Sequence, residues 1–439
     1  MRRSILVVSL SLGLFAVLAA ACGGGDGSSG SSGTTPPPNT PVTVLDPVCG
    51  VEATVSKTPT YAEDVAPILM KNCATCHTNG GIAPFPLLDF EQTSPLAALI
   101  AERTTAREMP PFNPNNCGDC NKFQDARWLT SEEIATISAW AEAGGPAGDL
   151  SKAPTPPPPP TGLADANLTI DMGVSYTPDG SKVDDYRCFI VDPGITSDKF
   201  LTAYEVLPGD PRVVHHVIAF ALDTAAAEAE AEALDAAEAG PGYTCFGGPG
   251  VGASRFVVGW APGGGPTRFP AGTGLRLEGG RKMVVQVHYN LASGAFPDQT
   301  RIAAVVQDSV DKEATISRVA AQGINLPPQQ PMTTVTNDEP VPAQAGTVTM
   351  WGVAPHMHGT GKIMHVEAEH DGQKQCLLDV GNWDFHWQSF SMYETPPKVQ
   401  GGDTIRITCG YDTTGRDTVT KQGEGTEDEM CIAFFYVTR

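Results

Sequence analysis

The sequence predicts a multidomain chain in which a small all-α domain precedes a longer all-β region. Three observations carry this. Low-complexity breaks at 23–45 and 152–162 separate a segment of about a hundred residues, a normal domain size, from a remainder more than twice as long. The shorter segment spaces its apolar residues as a helix does, whereas the longer one breaks into short runs rich in Val, Thr and Phe between turn residues. Glycine (47) and proline (38) are abundant enough to favour turn-rich β structure over long helical bundles.

Charge and cysteine content narrow the setting. Lys+Arg number 28 against 50 Asp+Glu, a formal net charge of −22, which repels phosphate backbones and sets aside a nucleic-acid partner. Eleven cysteines suit an oxidising compartment or a cofactor. At the amino terminus Arg2 and Arg3 precede an apolar run, 5–21, ending in Ala19-Ala20-Ala21 before Cys22. This resembles a bacterial lipoprotein signal, so residues 1–21 are expected to be removed and Cys22 lipidated. A membrane-spanning helix is the competing reading, but the run is shorter than the roughly 20 residues a span needs, and a Gly/Ser-rich stretch follows at once. The expected location is extracytoplasmic, lipid-anchored to a bacterial membrane in the periplasm or at the cell surface.

Residues 22–45 then read as a Gly/Ser/Pro tether, 46–148 as the helical domain and 149–163 as a Pro-rich linker containing Pro156 to Pro160. In the helical domain, Cys73-Ala74-Thr75-Cys76-His77 is the C-x-x-C-H pattern of covalent haem attachment. Two thiols three residues apart share one side of a helical turn, and the next residue offers an imidazole as axial ligand. The thiols alone would also suit a redox dithiol or a zinc half-site. Residues 61–69 read as a helix entering the motif. Arg107-Glu108-Met109-Pro110-Pro111 resembles the loop that presents a distal methionine in c-type cytochromes, so Met109 is the expected second axial ligand. Thr130 and Glu133 form a capping box before Ile134, Ile137 and Trp140 at helical spacing. The segment is therefore expected to be a small c-type cytochrome domain. Cys117 and Cys120 are expected in disulfides, with each other or with Cys49.

Beyond the linker, strands are predicted at 213–222, 282–289, 347–353, 362–370, 404–409 and 430–437, with one alanine- and glutamate-rich helix at 223–239 read as a solvated surface insertion. Five histidines fall in three motifs: His215-His216 in RVVHHVIAF, His288 in VVQVHYN, and His356-Met357-His358 in APHMHGTGK. On a strand, residues two apart point the same way, so His356 and His358 can chelate one ion. Adjacent His215 and His216 can share a metal only at a strand end or a bulge. A three-histidine zinc site is a competitor for that group.

These motifs, with Gly425 to Cys431 (GTEDEMC), 257–277 and 383–388 (WDFHWQ), make the chain similar to the copper type II, ascorbate-dependent monooxygenases, from about residue 165 onward. The resemblance implies two antiparallel jelly-roll-like sandwich domains, 164–311 and 312–439, each holding one copper ion. It implies that His215, His216 and His288 hold an electron-storing copper, and that His356, His358 and Met430 form the catalytic copper site where O₂ reacts. A thioether beside two imidazoles favours Cu(I), the oxidation state that reacts with O₂. It also implies disulfides Cys188–Cys245 and Cys409–Cys431. Cys376 has no family mate and is read as free or paired with Cys49, Cys117 or Cys120; His365, His370 and His386 match no ligand position. Ala354 stands where the peptide-hydroxylating members carry an arginine, and Ile432 and Phe434 replace polar or tyrosyl positions.

The expected function is hydroxylation of a substrate C–H bond with O₂ and two electrons, fed by ascorbate, the chain's own haem, or both. The partners are a small-molecule or peptide-like substrate and a redox partner protein. The competing reading is a haem/copper electron-transfer or copper-binding protein without oxygenase activity. A structural adhesion module is a third reading. No H-E-x-x-H helix supports a zinc hydrolase.

Overall fold

The computed structural model describes residues 41–79, 83–158, 162–262, 264–291, 293–423 and 427–439. The leader 1–21, Cys22, most of the tether, part of the Pro-rich linker and Gly425-Thr426 lie outside the described residues. Among those described, no helix is long and apolar enough to cross a membrane.

The amino-terminal part is helical, and its predicted helices form. A π turn, Tyr61–Val65, runs into the helix Ala66–Asn72, which delivers the chain to Cys73. The helix Ser131–Glu142 begins at Thr130, whose hydroxyl accepts from Glu133 N–H while the Glu133 carboxylate accepts from Thr130 N–H. Its Ile134, Ile137 and Trp140 are fully buried with Tyr61 and Leu69. Residues 42–45, assigned to the tether by composition, instead form the strand Val42–Leu45, paired with Glu52–Val55. Next to this hairpin Asp46 is buried and accepts an ion-paired contact from the nearly buried Arg107, which also lies over the Trp128 ring.

The rest is mostly β sheet arranged as two sandwiches. A five-stranded sheet orders Tyr243–Thr244, Asp184–Val191, Met283–Asn290, Val214–Leu222 and Ser254–Trp260. Its Phe189, Val217, Val258 and Val285 share a core with Ile170, Leu201, Leu275 and Ile302 of a ten-stranded sheet. A four-stranded sheet of Thr333–Pro340, Thr404–Tyr411, Gly361–His370 and Gln373–Val380 packs its Val366, Leu378 and Ile407 with Met350, Val353 and Phe435 of the same large sheet. The large sheet crosses from one sandwich to the other where Thr273–Leu277 pairs parallel with Lys312–Ala320. Buried and half-exposed residues alternate along much of Gly361–His370 and Thr404–Tyr411, as sequence periodicity anticipates, whereas Met283–Asn290, central in its sheet, is buried at every position before Asn290.

Two expectations need correction. The alanine-rich helix, Ala225–Ala236, is not simply solvated: Ala227 and Ala231 are buried with Leu222, Val284 and the Cys188–Cys245 disulfide, because alanine is small enough to let the helix lie close. Met430 precedes the last strand instead of starting it, since pairing begins at Ile432.

Four disulfides join Cys49 to Cys117, Cys120 to Cys376, Cys188 to Cys245 and Cys409 to Cys431. Cys120–Cys376 ties the helical part to the four-stranded sheet, so this part is fastened to the second sandwich and does not hang from its Pro-rich linker alone. Four pairs in one chain indicate an extracytoplasmic setting.

Candidate metal centres

His215 and His216 open the strand Val214–Leu222, and His288 on Met283–Asn290 lies directly opposite His216. The register then shifts so that Tyr289 faces Val214, leaving His215 as the extra residue of a bulge. The bulge resolves the difficulty posed by adjacent histidines: ligand atoms of all three rings lie within 4.8 Å of one another. The Nδ1 atoms converge, with His216 Nδ1 3.4 Å from His215 Nδ1 and 3.3 Å from His288 Nδ1. His288 Nε2 is 2.9 Å from Asp184 Oδ1. Donation to that carboxylate puts the proton on Nε2 and leaves the Nδ1 lone pair for a metal. Burial, reinforced by His288, lowers the His215 pKa to about 4. Burial pushes His216 well below the ordinary imidazole range too. His215 and His216 are therefore neutral at pH 7, the form that binds metal.

His356 is the last residue of its strand, Thr347–His356, and His358 sits in the turn beyond it, with Met357 pointing into the core between them. The two rings are 5.2 Å apart. Each has its Nδ1 occupied: His356 by Gln388 Oε1 at 2.6 Å, His358 by the Asp428 carbonyl at 3.0 Å. Both tautomers therefore present Nε2, the opposite choice from the first cluster. Burial, then the neighbouring His358, lowers the His356 pKa to about 4. The turn is held by Glu429, which is fully buried and accepts from the N–H groups of His358, Thr360 and Met430. Met430 lines a separate hollow with Arg318, Gln422 and Ile432 and is not among the residues that line the space shared by His356 and His358.

That space is a cavity of about 120 Å³ lined by His216, His356 and His358 together. The loop 383–388 reaches both clusters. Phe385 lies 6.3 Å from the His215 ring and 6.0 Å from the His358 ring. His386, which lies within the 383–388 motif but matches no ligand position, is 5.5 Å from His215 with its Nδ1 on Asp384. His365 and His370 instead pair with Asp379 and Asp403, away from either cluster.

The helical part fixes this loop through Asn113. Its Nδ2 donates to the Asp384 and Trp387 carbonyls at 3.2 and 2.8 Å, and its Oδ1 accepts from Asp384 N–H at 2.9 Å. Nothing local in sequence signals a contact spanning more than 270 residues. Asn113→Ala is expected to cost about 2 kcal/mol in urea unfolding, from three lost hydrogen bonds. It should also perturb the His356 ring resonances, since Gln388 rides on the same loop. Unchanged resonances would show that the loop holds its shape without this clamp.

In the helical part, Cys73 and Cys76 stay unpaired while eight other described cysteines form disulfides. Burial pushes the Cys73 thiol up to about 12 and raises Cys76 as well, the reverse of what a reactive dithiol needs. His77 Nδ1 is 3.0 Å from the Phe85 carbonyl. It donates there and keeps Nε2 for an axial bond. Met109 is 36% exposed, so its thioether is accessible. The two unpaired thiols of Cys73 and Cys76 beside the His77 imidazole are the donor chemistry a covalently attached haem requires.

Residues 314–438 match the family model described as copper type II ascorbate-dependent monooxygenase, C-terminal domain. Tyramine beta-hydroxylase of Caenorhabditis briggsae is 25% identical over 249 residues, covering 53% of this chain and 40% of that protein. Peptidyl-glycine alpha-amidating monooxygenase A of Xenopus laevis is 26% identical over 271 residues, covering 56% and 27%. The mouse peptidyl-glycine alpha-amidating monooxygenase is 25% identical over 286 residues, covering 62% and 27%. The chain spans well under half the length of these relatives.

Proposed function

We propose, on the support these comparisons give to the copper type II ascorbate-dependent monooxygenase family, that the chain hydroxylates a substrate C–H bond. One atom of O₂ enters the product and the other leaves as water, with two electrons and two protons supplied. The observation that carries this reading is that His216, His356 and His358 line one cavity, so the two histidine clusters act on a shared space.

In this reading His215, His216 and His288 hold one copper ion through Nδ1. His356 and His358 would hold the other through Nε2, and Met430 would supply a thioether as the third donor. Bound copper supplies the one-electron chemistry that couples O₂ reduction to C–H cleavage. The chain's own groups do the rest. Asp184 fixes the His288 tautomer, Gln388 and the Asp428 carbonyl fix those of His356 and His358, and Glu429 holds the turn between them. The aromatic walls keep bulk water from the reacting carbon.

In this reading Cys73 and Cys76 would carry a c-type haem, with His77 and Met109 offering an imidazole and a thioether to its iron. Bound haem supplies a one-electron reserve beside an enzyme that must be reduced twice, replacing or supplementing ascorbate. The leader and Cys22 anchor the protein to a bacterial membrane as a lipoprotein, and a redox partner protein recharges the haem.

Met430→Ala tests the central assignment. Ascorbate-driven oxygen uptake should fall by about two orders of magnitude or more, while the three-histidine copper and the fold are kept. Retained turnover would remove Met430 from the site. Full activity loss with both coppers and the fold intact in a His215→Ala protein would likewise contradict the two-site reading.

A further inference from the structure

The relatives' names point to an amine and to a peptide, yet the cavity here is built for neither a positive nor a negative end group. Among the described residues that line it there is no Asp, Glu, Lys or Arg. Its walls are Phe246, Phe256, Trp260, Phe385, Phe390 and Phe434, meeting the rings of His216 and His356. Phe256 stacks on Phe434 with centroids 5.6 Å apart and meets Phe390 at 5.8 Å, so two sides are continuous aromatic surface. The amide that reaches the cavity beside His356 is already engaged: Gln388 Oε1 is bonded to His356 and its Nε2 donates to the Phe385 carbonyl. Gln286 spends its Nε2 on Gly248 O and Cys245 Sγ. Ala354 presents only a methyl group, on the strand that ends at His356.

Size adds a second bound. At about 120 Å³ the cavity is a little smaller than the roughly 150 Å³ of an apolar protein cavity that takes up benzene. One six-membered ring occupies a space of this size, and the cavity is open enough on one side for a short substituent to extend out of it. Ring faces and edges of the aromatic walls suit such a guest, whereas an ammonium or carboxylate would leave water to meet no oppositely charged side chain, only ring faces and the neutral groups of Tyr186 and Ser389.

We propose that the group hydroxylated belongs to an uncharged, single-ring apolar molecule, bound in the cavity between the two histidine clusters. This rests on the hydroxylation reading for its chemistry, but binding can be measured without turnover. The test uses the full-length protein and three ring compounds of matched shape: ethylbenzene, phenethylamine and phenylacetate. Affinity is read by ligand-observed NMR and by Trp260 fluorescence, with Trp260→Phe as the control for that signal. Ethylbenzene is expected to bind at least about 30-fold more tightly than either charged compound. Ala354→Asp should reverse the order for phenethylamine alone, because it places a carboxylate on the cavity wall.

Equal or tighter binding of phenethylamine or phenylacetate to the unaltered protein would overturn the proposal, and so would failure of all three to bind. An Ala354→Asp protein with unchanged affinity ratios would show that the ring binds elsewhere, which also overturns it. Failure of the hydroxylation reading looks different: ring binding persists, while copper and oxygen uptake are absent.

Discussion

Replacing His358 with alanine is expected to lower bound copper from two ions per chain to one and to cut ascorbate-driven hydroxylation by roughly three orders of magnitude. That factor corresponds to about 4 kcal/mol of lost transition-state stabilisation. The reason is geometric. His356 and His358 present Nε2 from the end of one strand and the turn after it, and His356 alone, even with the proposed Met430 thioether, is a poor remaining donor set. The three-histidine cluster stands on other strands and should keep its ion, because its Asp184 anchor and its bulge are untouched. Metal analysis and oxygen uptake on the same preparation decide the matter. Two ions bound with undiminished uptake would place the reactive site elsewhere.

The second large effect concerns stability. Glu429 is fully buried and accepts from His358 N at 2.9 Å, Thr360 N at 2.7 Å, Thr360 Oγ1 at 2.7 Å and Met430 N at 3.2 Å. Glu429→Ala leaves all four donors without an acceptor and opens space beside Tyr411, and the expected cost is about 4 kcal/mol. Glu429→Gln keeps one acceptor oxygen and should fall between. Denaturant unfolding with and without copper separates the contributions. The alanine variant should also bind its second copper more weakly, because the turn that presents His358 has lost its support. A loss below about 1 kcal/mol would mean that water replaces the carboxylate and that the turn is held by the Cys409–Cys431 disulfide beside it.

What could be read from the sequence, and what could not, divides along the range of the interaction. The C-x-x-C-H motif and the His-x-His pair are local, because a metal or a porphyrin fixes the spacing of side chains along one turn or one strand. The helix cap at Thr130 is local for the same reason. The adjacent histidines left a strand end or a bulge open, and the choice of a bulge at His215 exists only in the register between Val214–Leu222 and Met283–Asn290. Glu429 stands in an acidic run that reads as a solvated loop, and only the turn of residues 358–360 folding over it makes it a buried acceptor. Asn113, Phe385 and His386 act across domain-scale separations, where neither period nor propensity speaks. Val42–Leu45 was assigned to the tether because Pro and Thr precede it, yet a partner at Glu52–Val55 gives it a strand. The pairing of Cys376 with Cys120 is of this kind too: cysteine spacing leaves several connectivities open.

The loop 383–388 links these non-local features. It carries Phe385 between the two clusters and Gln388 against His356, and it is clamped by the helical part through Asn113. The helical part that contains Cys73, Cys76 and His77 thus reaches, through Asn113, the loop that lies between the two histidine clusters.

Copper K-edge absorption on the full-length protein, paired with total metal analysis, tests the central claim most directly. The account predicts two copper ions per chain, a nitrogen-rich first shell for both, and a sulfur neighbour at one of them in the reduced state that Met430→Ala removes. Zinc in place of copper, or a single ion confined to His215, His216 and His288, would contradict it.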